Sequence, residues 1–187
     1  MKENAFKSLS LHLVSIMILS MKRILVIGCP GAGKTYFSKR LSEILGLPLV
    51  HMDNLYWHAD KTSIDTESLK EKLLPYLVQD QWIIDGNYHK TLEMRLPYAT
   101  DVFVLDLPRK ECIQGILDRI DQPRDDIPWI EREDDATELI AWTADYGFRT
   151  KDEEIALLNK NKHLCVHTIT SRQEMNEYLD KLAKSKN

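Results

Sequence analysis

The sequence predicts a three-layer α/β fold, a sheet of short buried strands held between helices. Two observations carry that expectation. Short apolar, β-branched runs alternate with segments whose apolar residues recur at helical spacing, the pattern of strands joined by helical crossovers. Between the first run and the first helical segment lies GCPGAGKTY, residues 28–36. In such sheets ligands bind at the carboxyl ends of the strands, and that is where this stretch falls.

The elements follow in chain order. Residues 22–27 (KRILVI) read as a strand buried on both faces. Residues 35–46 carry Phe37, Leu41, Ile44 and Leu45 at helical spacing, with Gly46 as the stop. LPLVHMD, 47–53, reads as a second parallel strand ending in a carboxylate, and the aromatic stretch after it as irregular. The segment from Thr66, TESLKEKLLPYLVQ, is amphipathic, with Leu69, Leu73, Leu74 and Leu77 on one side and a kink expected at Pro75. WIID, 82–85, makes a third strand, and a short helix spans about 90–96. DVFVLDL, 101–107, makes the fourth strand, followed by a helix over 109–120. The charged stretch 121–134, with two prolines and no periodicity, is a loop. Helix is expected over about 135–160 with a break near Gly147, then a fifth strand over 163–169 and a closing helix over 171–187.

GCPGAGKT fits G-x-x-x-x-G-K-[ST] without a mismatch. The glycines let the backbone curl so that successive N–H groups face a phosphate, which a side chain would block. Gly28, Cys29, Pro30, Gly31, Ala32, Gly33, Lys34, Thr35 and Tyr36 are therefore the candidate nucleotide-binding residues. Lys34 is expected on the β- and γ-phosphates and the Thr35 hydroxyl on Mg²⁺. Cys29 reads as a small neutral loop residue.

At 187 residues, a single domain with a full core is expected over 21–187. A net charge of −4 and an isoelectric point near 5.9 argue against a general nucleic-acid binder. The three cysteines lack metal-site spacing and read as reduced cytosolic thiols, so a cytoplasmic location is expected. LHLVSIMIL within residues 1–20 is too short to span a bilayer, so no membrane partner is expected. The expectation is that Met21 is the functional start, or that residues 1–20 are a dispensable helical extension. A monomer or homodimer is expected.

Magnesium needs a further carboxylate, and an Asp closing an apolar strand is the usual source. Asp85 fits, although Asp-Gly also suits a tight turn. NKNKH, 159–163, lacks the Asp of a guanine-reading segment, which disfavours a GTPase. The chain is too short for the extra helical domain of ring-forming ATPases. Small kinases remain.

GCPGAGKT, HMDNLYW, WIIDGNY and VFVLDLPRKECIQGILDR, in that order, resemble the adenylate-kinase-like P-loop kinases. Within them the chain is most similar to the bacterial group called DNA topology modulation proteins, of the FlaR type. The likeness runs from about residue 21 to 124 and more weakly to 178, and 127–150 departs from the expected pattern. It implies a P-loop NTPase fold with a five-stranded parallel sheet in the order 2-3-1-4-5. It also implies a mobile lid over about 121–134 that brings arginines onto the transferring phosphate and excludes water. Arg124 and Arg119 are the leading candidates, with Arg132 beside them. The group's name suggests DNA supercoiling, whereas the residues suggest phosphoryl transfer.

Two acceptor chemistries stay open. A nucleotide-like acceptor needs cationic clamps, for which Arg95 and Arg40 are candidates. A hydroxyl acceptor gains from a carboxylate base, for which Asp53 is placed, with Tyr56 and Trp57 as an aromatic wall. Asp53 also suits an N-cap, and the two aromatics suit plain packing. The expected function is transfer of the γ-phosphate of ATP to a small acceptor. NTP hydrolysis and nucleotide-dependent regulation are the alternatives.

Overall fold

A computed structural model describes residues 21–149 and 151–186, so the expectations for residues 1–20 lie outside the described residues. The strands are β1 (Arg23–Gly28), β2 (Leu49–His51), β3 (Trp82–Asp85), β4 (Asp101–Leu105) and β5 (Cys165–Ile169). The helices are α1 (Lys34–Leu45), α2 (Met52–Tyr56), α3 (Thr66–Leu77), α4 (His89–Arg95), α5 (Arg109–Leu117), α6 (Glu133–Arg149), α7 (Lys151–Lys160) and α8 (Arg172–Lys186). A 3₁₀ turn, Leu96–Tyr98, leads from α4 towards β4.

All strand pairs are parallel, and the five-stranded sheet has the order β2-β3-β1-β4-β5. This is the architecture and strand order expected. β1 is central, and its alternation feeds two cores. Ile24 and Val26 enter the cluster with Phe37, Leu41, Phe103 and Leu179, while Leu25 and Ile27 enter the one with Leu69, Leu73, Ile84 and Leu92. Each fully buried Leu or Ile contributes about 1.5–3 kcal/mol, so the doubly buried strand is a main source of stability. Local signals close the helices. Gly46 caps α1 in the left-handed region at φ 73°, and Asp65 accepts from the N–H groups of Glu67 and Ser68 at the start of α3.

Several boundaries differ from the expectation. β2 ends at His51, and the chain turns helical at Met52, so Asp53 sits in α2 rather than at the end of a strand. The aromatic stretch expected to be irregular begins with that helix. α3 continues past Pro75 to Leu77, because a proline near the last turn removes only one donor of the ladder. The long helical segment divides between α6 and α7, as expected near Gly147. No helix among the described residues is long and apolar enough to cross a membrane.

Candidate active site

The loop between β1 and α1 opens into a cleft of about 1200 Å³ at the carboxyl ends of the strands. Two glycines decide the loop's course. Gly33 precedes α1 at φ 94°, and at Gly31, φ 75°, a Cβ would overlap the Cys112 carbonyl oxygen of α5. The Ala32 N–H turns back to the Cys29 carbonyl at 3.1 Å. The N–H groups of Gly31, Gly33, Lys34 and Thr35 have no hydrogen-bond acceptor among the described residues. Those orphan donors at a helix start suit an anion, and they are the observation that fits this loop to a nucleotide's phosphates. Pro30 lines the cleft beside them, and Tyr36, about half exposed, donates to Asn176 Oδ1 at 3.1 Å.

Lys34 Nζ donates to the carbonyls of Gly28 at 2.8 Å and Cys29 at 3.1 Å. Burial lowers its pKa, and the nearby Asp53 carboxylate, with Cys29 and Asp85, pulls the other way. The hydrogen-bonded contact with Cys112, together with burial, keeps the Cys29 thiol protonated, consistent with a neutral loop residue.

Asp85 closes β3 and is buried, with both carboxylate oxygens 2.9 Å from His51 Nδ1 at the end of β2. Parallel pairing sets His51 directly beside Asp85. Burial disfavours the imidazolium, but the Asp85 hydrogen bond outweighs it and raises the His51 pKa.

The Thr35 hydroxyl has a different partner. It donates to Asp126 Oδ2 at 2.7 Å, across a sequence separation of 91 residues. Asp126 is 2% exposed and is gripped by Arg124, whose Nε lies 3.0 Å from Oδ1 and Nη2 2.5 Å from Oδ2. Burial pushes the Asp126 pKa up, but Arg124 and the Thr35 hydroxyl hold it down at about 2. Arg124 also donates to Glu131 Oε2 at 2.5 Å, and Arg119 Nη2 donates to Glu131 Oε1 at 2.9 Å. The two expected phosphate-clamping arginines are therefore both tied to Glu131, and Arg124 to Asp126 as well. Arg132 is paired with Asp121, and Arg40 with Glu43 on an exposed turn. Lys39 of α1 reaches Asp125 at 2.5 Å.

Facing the loop, Tyr88 Oη donates to Asp53 Oδ1 at 2.6 Å. Burial raises the Asp53 pKa, and the Tyr88 hydroxyl and Lys34 only partly offset it. Tyr56 lies edge-on to both Trp57 and Tyr88, with ring centroids 4.9 Å apart in each pair, and Trp57 continues to Trp129 at 5.7 Å. This aromatic series lines one wall of the cleft. Tyr88 itself adopts φ 31°, an uncommon backbone for an aromatic residue. Arg95 holds it there.

Arg95, expected as a clamp on an acceptor phosphate, is fully buried and does not line the cleft. Its guanidinium donates to the carbonyls of Gly86 at 2.9 Å, Asn87 at 2.5 Å and Tyr88 at 3.4 Å. Burial lowers its pKa to about 10. Asn87 then joins three segments, accepting from the Gly28 N–H at 3.1 Å and donating to Glu154 Oε1 of α7 at 2.8 Å.

His51, Asn87, Tyr88, Asp126, Trp129 and Glu131 were not singled out from the sequence. His51, Asn87 and Tyr88 lie inside the quoted HMD and DGNY stretches, whereas nothing local marks Asp126 as the partner of Thr35. No family model matches the chain, and no curated protein matches it.

Proposed function

We propose that the chain is an ATP- and Mg²⁺-dependent phosphotransferase acting on a small, hydroxyl-bearing acceptor. The observation that carries this reading is the juxtaposition of Lys34 and Thr35 with Asp53 and its aromatic neighbours around one cleft. Membership in the adenylate-kinase-like kinases, close to the DNA topology modulation group, is part of the same proposal, as is a cytoplasmic setting where ATP is available.

The free N–H groups of the loop and Lys34 would hold the nucleotide's phosphates. Thr35 would hold the metal, with Asp85 and Asp126 as the carboxylates within the cleft. Bound Mg·ATP supplies an activated phosphoryl group and a divalent charge that neutralises its oxygens. Asp53 would orient the acceptor hydroxyl and take its proton on Oδ2, since Oδ1 accepts from Tyr88. A raised pKa moves this carboxylate towards the range in which a base works near neutrality. The aromatic series would cover the acceptor and exclude water.

The choice of a hydroxyl over a phosphate acceptor rests on the arginines. Arg119 and Arg124 are held by Glu131 and Asp126, Arg172 donates to the Gly31 and Glu111 carbonyls, and Arg95 lies outside the cleft. With Arg119 and Arg124 neutralised by acidic partners, the cleft favours an acceptor that brings a hydroxyl over one that brings a second phosphate.

ADP release from ATP by the full chain, measured against a panel of alcohols, nucleosides and nucleotides, tests the reading. One class of hydroxyl compound is expected to stimulate release, and Lys34→Ala should lower it by at least about 10²–10³-fold while the chain stays folded. Release indifferent to every acceptor would point to hydrolysis. Unchanged turnover in a folded Lys34→Ala chain would remove the loop from the mechanism.

A further inference from the structure

A second cluster lies at the opposite end of the sheet. Asp101 opens β4 and Cys165 opens β5, and the parallel register pairs Asp101 with Cys165 and Phe103 with His167. Alternation along a strand puts Cys165 and His167 on one face, and the register brings Asp101 onto the same face beside them. One ligand atom from each of the three lies within 4.8 Å of the other two. Four residues of strand, about 13 Å, separate Asp101 from Leu105 next to the phosphate loop, so this cluster is distinct from the cleft.

The setting is rigid. The His167 ring stacks on Phe103 with centroids 4.4 Å apart and 14° between planes, and its Nε2 lies 3.0 Å from Asp101 Oδ1. The Thr100 hydroxyl donates to Asp101 Oδ2 at 2.8 Å, orienting the carboxylate from the other side. Tyr178 of α8 closes the patch, its ring 6.3 Å from that of His167. Its hydroxyl oxygen is buried without a hydrogen-bond partner among the described residues. A satisfied Asp–His pair would account for two members of this group. It does not account for a thiol converging on both or for an orphaned phenol oxygen above them.

We propose that Asp101, Cys165 and His167 form a binding site for a divalent transition-metal ion of the zinc class. Thiolate, imidazole and carboxylate are the ligand set such ions take, whereas Mg²⁺ and Ca²⁺ require oxygen ligands. Tetrahedral ligation at about 2.0–2.3 Å sets ligand atoms roughly 3.3–3.8 Å apart, so side-chain rotations of about an ångström complete the site. The Asp101–His167 hydrogen bond is exchanged for two bonds to the metal, the imidazole proton moving from Nε2 to Nδ1 through solvent and the Cys165 proton passing to solvent, so that a neutral imidazole and a thiolate meet the ion. Cys165 is exposed, which gives the ion a route in and leaves a fourth position for water.

Cobalt(II) titration of the full chain is the test, because a thiolate–cobalt charge-transfer band and tetrahedral visible bands report the ligands directly. One equivalent should bind with both signatures, and zinc should displace it. Cys165→Ser should abolish the charge-transfer band, while Cys29→Ser and Cys112→Ser leave it intact. His167→Gln and Asp101→Asn should weaken binding by more than the roughly 10–100-fold that a supporting outer group costs. Circular dichroism of each metal-free variant separates lost ligation from lost folding, and Cys165, at the surface of an edge strand, is the variant expected to fold unchanged. A wild-type chain with no charge-transfer band, or a band that survives in Cys165→Ser, overturns the proposal. ATP turnover plays no part in the readout.

Discussion

The two walls of the cleft are built by different means. The loop over 28–35 is one continuous stretch, and its shape comes from backbone angles such as those of Gly31 and Gly33 and from carbonyls that Lys34 ties back to itself. The facing wall is assembled from segments far apart in the chain. Asp53 comes from α2, Tyr88 from the turn after β3, and Asp126 and Trp129 from 121–134. The β2–β3 ladder sets the first two segments side by side, and side-chain contacts join them to 121–134. Removing a side chain from a loop shaped mainly by its own backbone angles should cost less than removing one from a wall held by buried ion pairs.

Asp53→Asn is expected to give the largest effect. It keeps the acceptor for the Tyr88 hydroxyl but removes the carboxylate proposed as the base, so kcat should fall about 10²–10⁴-fold with the KM for ATP little changed. Steady-state kinetics with the best hydroxyl acceptor measure it. A fall confined to the KM for ATP would move Asp53 to the donor wall and break the comparison.

Arg124→Met should show most clearly that ion pairs hold the facing wall. It leaves Asp126 and Glu131 buried without their shared cation, a loss of about 3–5 kcal/mol in denaturant unfolding. Lys34→Ala, in the backbone-held loop, should shift the unfolding midpoint far less. Equal shifts would erase the distinction between the walls.

Acid should loosen the same wall. The folded pKa of Asp126, about 2, lies below the ordinary value of 3.8, so the folded chain binds that proton more weakly than the unfolded chain does. Its stabilising contribution is therefore complete above about pH 4 and is lost as pH falls through about 2. Unfolding curves across that window should be flatter for Asp126→Asn than for the wild-type chain. The smallest effect is expected at Lys39→Ala. The partner Asp125 is 81% exposed in its side chain, and exposed pairs are worth about 0–1 kcal/mol. A larger loss would mean that the contact between α1 and 121–134 is part of the wall rather than its rim.

The sequence by itself determined the alternation of strands and helices, the doubly buried β1, and the glycine-rich loop that carries Lys34 and Thr35. All of these are written in neighbouring residues, where spacing and glycine placement restrict consecutive backbone angles. It also marked HMDNLYW and WIIDGNY, so Asp53, Tyr56, Trp57 and Asp85 were legible as cleft residues, and all four line it. The strand order was legible only through resemblance, because crossover lengths do not say which neighbour a strand takes. Only the tertiary structure decided who pairs with whom. Thr35 meets Asp126, Asp85 meets His51, and Arg95 turns inward to three carbonyls instead of facing the cleft. An arginine in a helical pattern reads the same whether it faces solvent, a ligand or a buried turn. Burial and partner are properties of the packed chain, set by contacts tens of residues apart, and no local spacing encodes them.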